Sequence, residues 1–119
     1  MIKMYGIPNC DIIKKAGAWL KKNDIAFELH DYKKQGIDAS KLKEWIGLKG
    51  WETIFNKRST TWKEIMKEVV INNQHDAIQI MQQHTSIIKR PVIEINDDII
   101  VGYDEKAYIE KLLGKKSSK

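Results

Sequence analysis

KRPVIEINDDIIVGYDEKAYIEKLLG, residues 89–114, decides the fold. VIEI and IIVGY are short runs rich in β-branched residues, and Asn96-Asp97-Asp98 between them reads as a tight turn. They predict an antiparallel hairpin. A helix over 104–113 follows, with Asp104 as its cap and Tyr108, Ile109, Leu112 and Leu113 on its buried face. Gly114 is its stop. Ahead of the hairpin, HTSIIKRP reads as a loop that runs into Pro91.

The other end of the chain has a different order. IKMYGI is a short apolar strand bounded by Gly6 and Pro8. Residues 11–23 carry Ile12, Ile13, Ala16, Trp19 and Leu20 at helical spacing, with Lys14, Lys15, Lys21 and Lys22 on the opposite face. Asn9, Cys10 or Asp11 supplies the N-cap, and Asn23-Asp24 ends the helix. AFELHDY, residues 26–32, is a second strand, and KKQGI after it a turn. Strand, helix and strand this close predict a right-handed βαβ unit with parallel strands.

The middle reads as helix and loop. A helix over 38–48 opens at Asp38 and ends near Gly47 or Gly50. WETIF is one short turn, NKRSTT a loop, and TWKEIMKEV a helix capped by Thr60 or Thr61. A further helix covers 74–83, and no strand signal occurs within 51–83. The order βαβ, helical segment, ββα is that of an α/β, thioredoxin-like fold. It implies a mixed four-stranded sheet with a helical insertion at about 38–86. We read residues 1–114 as a single domain and 115–119 as a flexible basic tail. In such a fold the first βα turn presents a reactive thiol, and a proline in the cis form faces it. Cys10 and Pro91 occupy those places.

Composition sets the broad class. The 119 residues are 42% hydrophobic and 31% charged, as expected of one ordinary globular domain. No apolar run reaches membrane-spanning length, MIKMYGIP does not have the shape of a signal peptide, and one cysteine makes no internal disulfide. A cytoplasmic protein with no membrane partner is expected. The net charge is +5, of which Lys115, Lys116 and Lys119 contribute three, leaving +2 on the body. That balance, with no clustered basic stripe, gives no reason to expect direct nucleic-acid binding. His30, His75 and His84 lack metal-ligand spacing, so no metal is expected. Trp19, Trp45, Trp51 and Trp62 read as packing residues.

Only two of the 21 basic residues are arginines, Arg58 and Arg90. They mark places where a planar, bidentate donor is wanted in place of a point charge. Cys10 lies where a helix begins, and helix amides favour the thiolate. Lys14, one turn on, adds positive charge that stabilises the thiolate, and Asn9 is either a cap or a further group that stabilises the thiol or its oxyanion.

YGIPNCDIIKKAGAWL, HDYKKQGI, NKRSTTW and IIKRPVIEINDDIIVGY, in that order, resemble the arsenate reductase (ArsC) family over essentially the whole chain. The wording GIPNCD and HDYKK is closest to its YffB subgroup, and Spx-type transcription regulators are related. The resemblance implies that Cys10 is the nucleophile and that Arg58 and Arg90 stabilise an oxyanion or the thiolate beside it. Two departures stand out. Gly6 occupies the place of a histidine typical of arsenate reductases, and no arginine follows Arg90. Ile13 replaces the second cysteine of the Spx-type Cys-x-x-Cys switch.

With no resolving cysteine, turnover needs an outside thiol. Glutathione, or a glutaredoxin-like donor, is the expected cosubstrate, with no bound cofactor. The substrate is then a disulfide or a small oxyanion. Arsenate reduction is one alternative. A non-catalytic, Spx-like protein that binds the RNA polymerase α-subunit is the other, and Gly50 lies where such proteins have a contact glycine.

Overall fold

The computed structural model describes residues 2–114. The basic tail read at 115–119 lies outside the described residues. The chain divides into two compact units, one made of the chain up to His30 and from Arg90 onward, the other Asp31–Lys89.

The first unit holds the sheet. Its strands are β1 (Ile2–Gly6), β2 (Phe27–Asp31), β3 (Val92–Ile95) and β4 (Asp98–Val101), in the spatial order β2-β1-β3-β4. This is the mixed four-stranded sheet of a thioredoxin-like fold, with β3 antiparallel to both its neighbours. Val92 and Ile93, on opposite faces of β3, are both fully buried, as a central strand requires. Met4 pairs with Ile93 and Tyr5 with Val92, which fixes the register.

Helix α1 (Asp11–Lys22) buries Ile13, Ala16 and Leu20 of the expected face, with Gly17 beside them, while Ile12 and Trp19 are half-buried at its edges. That face forms one core with Met4, Ile93 and Ile100 from the sheet and Tyr108 from the last helix. Gly17 faces this core, where a Cβ would make ordinary contact with the ring of Phe27 and the end of Met4. The hairpin is tighter than expected. Asp98 already pairs with Ile95, so the turn is Asn96-Asp97 alone, with Asn96 at φ 44°. The strand IIVGY also stops early, at Val101, because Gly102 leaves it at φ 87°.

In the second unit, strand β2 gives way to a helix sooner than AFELHDY suggests. The Asp31 side chain accepts from the amides of Lys33 and Lys34, and so starts the single-turn helix α2 (Tyr32–Gln35) where a turn is expected. Helices α3 (Ala39–Lys49), α4 (Trp51–Ile54), α5 (Thr60–Ile65) and α6 (Gln74–Gln83) follow, with a 3-10 turn at Thr85–Ile87. Helix α3 runs through Gly47 and ends at Gly50, φ 85°. The cap of α5 is Ser59, not Thr60 or Thr61, and the helix ends at Ile65. No strand lies within 51–83; Phe55 makes one isolated bridge with Ile88. Trp45 is fully buried, and Trp51 and Trp62 set their rings edge-on to Phe55.

The last helix, α7 (Glu105–Leu112), returns to the first unit. Asp104 caps it, its carboxylate accepting from the amide of Ala107.

Candidate active site

The site grows out of the first βα turn. Cys10 is the N-cap of α1, with extended backbone (φ −92°, ψ 132°). Its amide donates to the Ile7 carbonyl, and its own carbonyl accepts from Ile13 and Lys14. The side chain makes no capping hydrogen bond of its own. The sulfur is therefore left at the positive end of the helix, half-buried against the first-unit core.

Arg90 reaches it from the other end of the sequence. Its Nε donates to Cys10 Sγ at 3.5 Å. The Arg90–Pro91 peptide is cis. Pro91 is buried, and its carbonyl accepts from the Gly102 amide at 2.7 Å. Gly102 is held in turn by the Tyr108 hydroxyl, which donates to its carbonyl at 2.9 Å. A run of hydrogen bonds thus ties α7 to the peptide that carries Arg90.

Burial of the sulfur pushes its pKa up. The hydrogen bond from Arg90, the amides of Ile12 and Ile13, and the charge of the guanidinium outweigh that effect, and hold the thiol below its ordinary value. These contacts favour the thiolate relative to an ordinary cysteine. Among the described residues, no three His, Cys, Asp or Glu side chains group in a way that would hold a metal ion.

The other expected site residues stand as follows. Lys14 is exposed, and the groups acting on the sulfur do not include its ammonium. Asn9 is exposed, and Cys10 takes the capping position. Arg58 belongs to the second unit, on the turn before α5, exposed, with its amide donating to Asn56 Oδ1. The structure brings together Cys10 and Arg90, with Pro91 next in the chain. The helix amides expected to favour the thiolate are those of Ile12 and Ile13. Sequence reading missed the Tyr108–Gly102–Pro91 tie, for which a glycine directly after a strand was the one signal.

A thiol at the first βα turn of this sheet, bonded from the residue before a cis-proline, defines a thioredoxin-like protein. Within that class, the ArsC family profile matches residues 5–111, and the chain belongs to the ArsC family. An uncharacterized protein of Haemophilus influenzae is 38% identical over 109 residues, covering 91% of this chain and 96% of its own length. The global transcriptional regulator Spx of Lactiplantibacillus plantarum is 26% identical over 107 residues, covering 88% and 81%. The solved structure of the YFFB (PA3664) protein superposes with a TM-score of 0.88 at 36% identity, covering 94% of this chain and 99% of that one.

Proposed function

We propose that the protein is a glutathione-dependent thiol–disulfide reductase with Cys10 as its single nucleophile. The observation that carries this reading is the 3.5 Å hydrogen bond from Arg90 Nε to a sulfur already seated at a helix N-terminus. The Cys10 thiolate attacks one sulfur of a disulfide substrate, and the substrate S–S bond breaks as the mixed disulfide forms. The departing thiolate takes a proton from water. A glutathione thiolate then displaces the second substrate sulfur and leaves Cys10 joined to glutathione. A second glutathione attacks the glutathione sulfur of that adduct, releasing oxidised glutathione and the Cys10 thiolate. Two glutathiones supply the two electrons that the substrate gains. A glutaredoxin-like donor can replace the second glutathione. No bound cofactor is required, and the reducing cytoplasm is the compartment that supplies the thiol.

Small oxyanions are the second substrate class, because a guanidinium fork beside a thiolate suits them. Arg58 joins that role if it reaches the same anion. Arsenate itself is disfavoured by Gly6 and by the lack of an arginine after Arg90.

The similarity to Spx regulators supports a different reading, binding of the RNA polymerase α-subunit without catalysis. Gly50, however, sits at φ 85° between α3 and α4, so the backbone alone accounts for a glycine there. Capture on the carboxy-terminal domain of the polymerase α-subunit would favour that reading.

The deciding experiment is alkylation of Cys10 against pH, followed by mass spectrometry after incubation with oxidised glutathione. The expected result is a thiol that titrates below the ordinary range and one glutathione adduct, absent in Cys10→Ser. An ordinary or raised thiol with no adduct would refute the reductase.

A further inference from the structure

Gly6 ends β1, and its backbone does not lie in the left-handed region that favours glycine. Any residue can adopt a strand conformation, so the backbone does not explain the choice. Space does. A Cβ built on Gly6 would stand 2.2 Å from Ile13 Cδ1 and 2.8 Å from Ile13 Cγ1, and 3.7 Å from the Cβ of Arg90. The first two are severe overlaps. The Ile13 side chain has little freedom to yield: it is 3% exposed within the core, and a β-branched side chain in a helix has one strongly preferred χ1.

These neighbours are not arbitrary. Ile13 belongs to the first turn of α1, whose amides face the sulfur, and Arg90 is the side chain that donates to it. The end of β1 thus lies directly under the first turn of α1, with the stem of Arg90 beside it. We propose that Gly6 is a positioning residue: having no side chain, it leaves room for Ile13 to close over the end of β1, and so lets the first turn of α1 keep its observed place at Cys10 Sγ. Ile13 fills the space that a side chain at residue 6 would take, and the two residues act as a complementary pair. The inference rests on the reductase reading for its functional meaning, but its test does not use reductase activity.

The test compares wild type, Gly6→Ala, and Gly6→Ala/Ile13→Ala. For each, the thiolate absorbance is followed against pH, with the matching Cys10→Ser protein as blank, and urea unfolding is run in parallel. In Gly6→Ala the thiol midpoint is expected to rise toward the ordinary value, and alkylation at neutral pH to slow several-fold. In the double variant the added methyl has room, and the midpoint is expected to return toward wild type. A folded Gly6→Ala protein that titrates as wild type does would overturn the proposal. Should Gly6→Ala not fold, the double variant decides alone: a wild-type midpoint supports the pairing and an ordinary one overturns it. The inference is read from differences between variants, whereas the reductase reading depends on the absolute wild-type midpoint, so the two can fail separately.

Discussion

Replacing Tyr108 with Phe isolates one link in the support behind the site. Tyr108 is fully buried, and its hydroxyl donates to the Gly102 carbonyl at 2.9 Å. Phenylalanine keeps the ring against Trp19 and Tyr103, whose centroids lie 5.2 and 5.5 Å away. What is lost is one hydrogen bond, and Gly102 loses that donor. A neutral hydrogen bond contributes roughly 1 kcal/mol net, and leaving a buried partner unsatisfied costs about 1–3 kcal/mol. Gly102 is half-exposed, so water replaces part of the loss. The expected destabilisation is therefore near the lower end, about 1 kcal/mol. With a urea slope on the order of 2 kcal/mol per molar, the midpoint falls by about 0.5 M with the slope unchanged. Tyr108→Ala, which also empties the ring's volume, costs about 3–5 kcal/mol. The assay is urea unfolding followed by tryptophan fluorescence. A Tyr108→Phe midpoint equal to wild type would show that the bond contributes nothing. One as low as that of the alanine variant would show that the ring is not what packs.

Two other outcomes are expected. Arg90→Lys keeps the charge but not the Nε donor, so its thiol should titrate higher than wild type and form the glutathione adduct more slowly; equal behaviour in both assays would mean that charge alone suffices. Stability should fall at alkaline pH. Burial first, then the hydrogen bond and charge of Glu105, push Tyr103 up to about 12, and burial above all pushes Tyr108 higher. Both folded values are raised, so the stability they contribute is complete below the ordinary tyrosine value of 10.0 and is lost as pH climbs through the folded values. Tyr108→Phe should flatten that decline, and an equally steep decline in the variant would refute the assignment.

The hairpin and the last helix were legible because cap, period and turn chemistry agree there: Asp104 precedes the helix, and Tyr108 falls on its core face. Disagreements arose where several residues of one type compete. Ser59, Thr60 and Thr61 are all competent caps in isolation. Thr61 is engaged elsewhere, its hydroxyl 2.8 Å from that of Ser86, a contact between distant parts of the chain that no local reading finds. Helix α5 stops before MKEV for a similar reason: none of its residues is buried, so nothing sustains further turns. At the site, Cys10 was visible from its place in the fold and Arg90 from the resemblance. The fit of Ile13 over Gly6 was not, because a glycine two residues before Pro8 reads as a strand boundary, whatever packs above it.

The thiol and its guanidinium partner are 80 residues apart in the chain. Translation at about 5–20 residues per second therefore delivers Cys10 roughly 4–16 seconds before Arg90. Strand β1 waits equally long for β3, its antiparallel neighbour. While the second unit is being made, the sulfur has neither its guanidinium donor nor a completed sheet beneath it. The guanidinium's share in the lowered thiol pKa is therefore absent until residue 90 has been made, 80 residues after the cysteine.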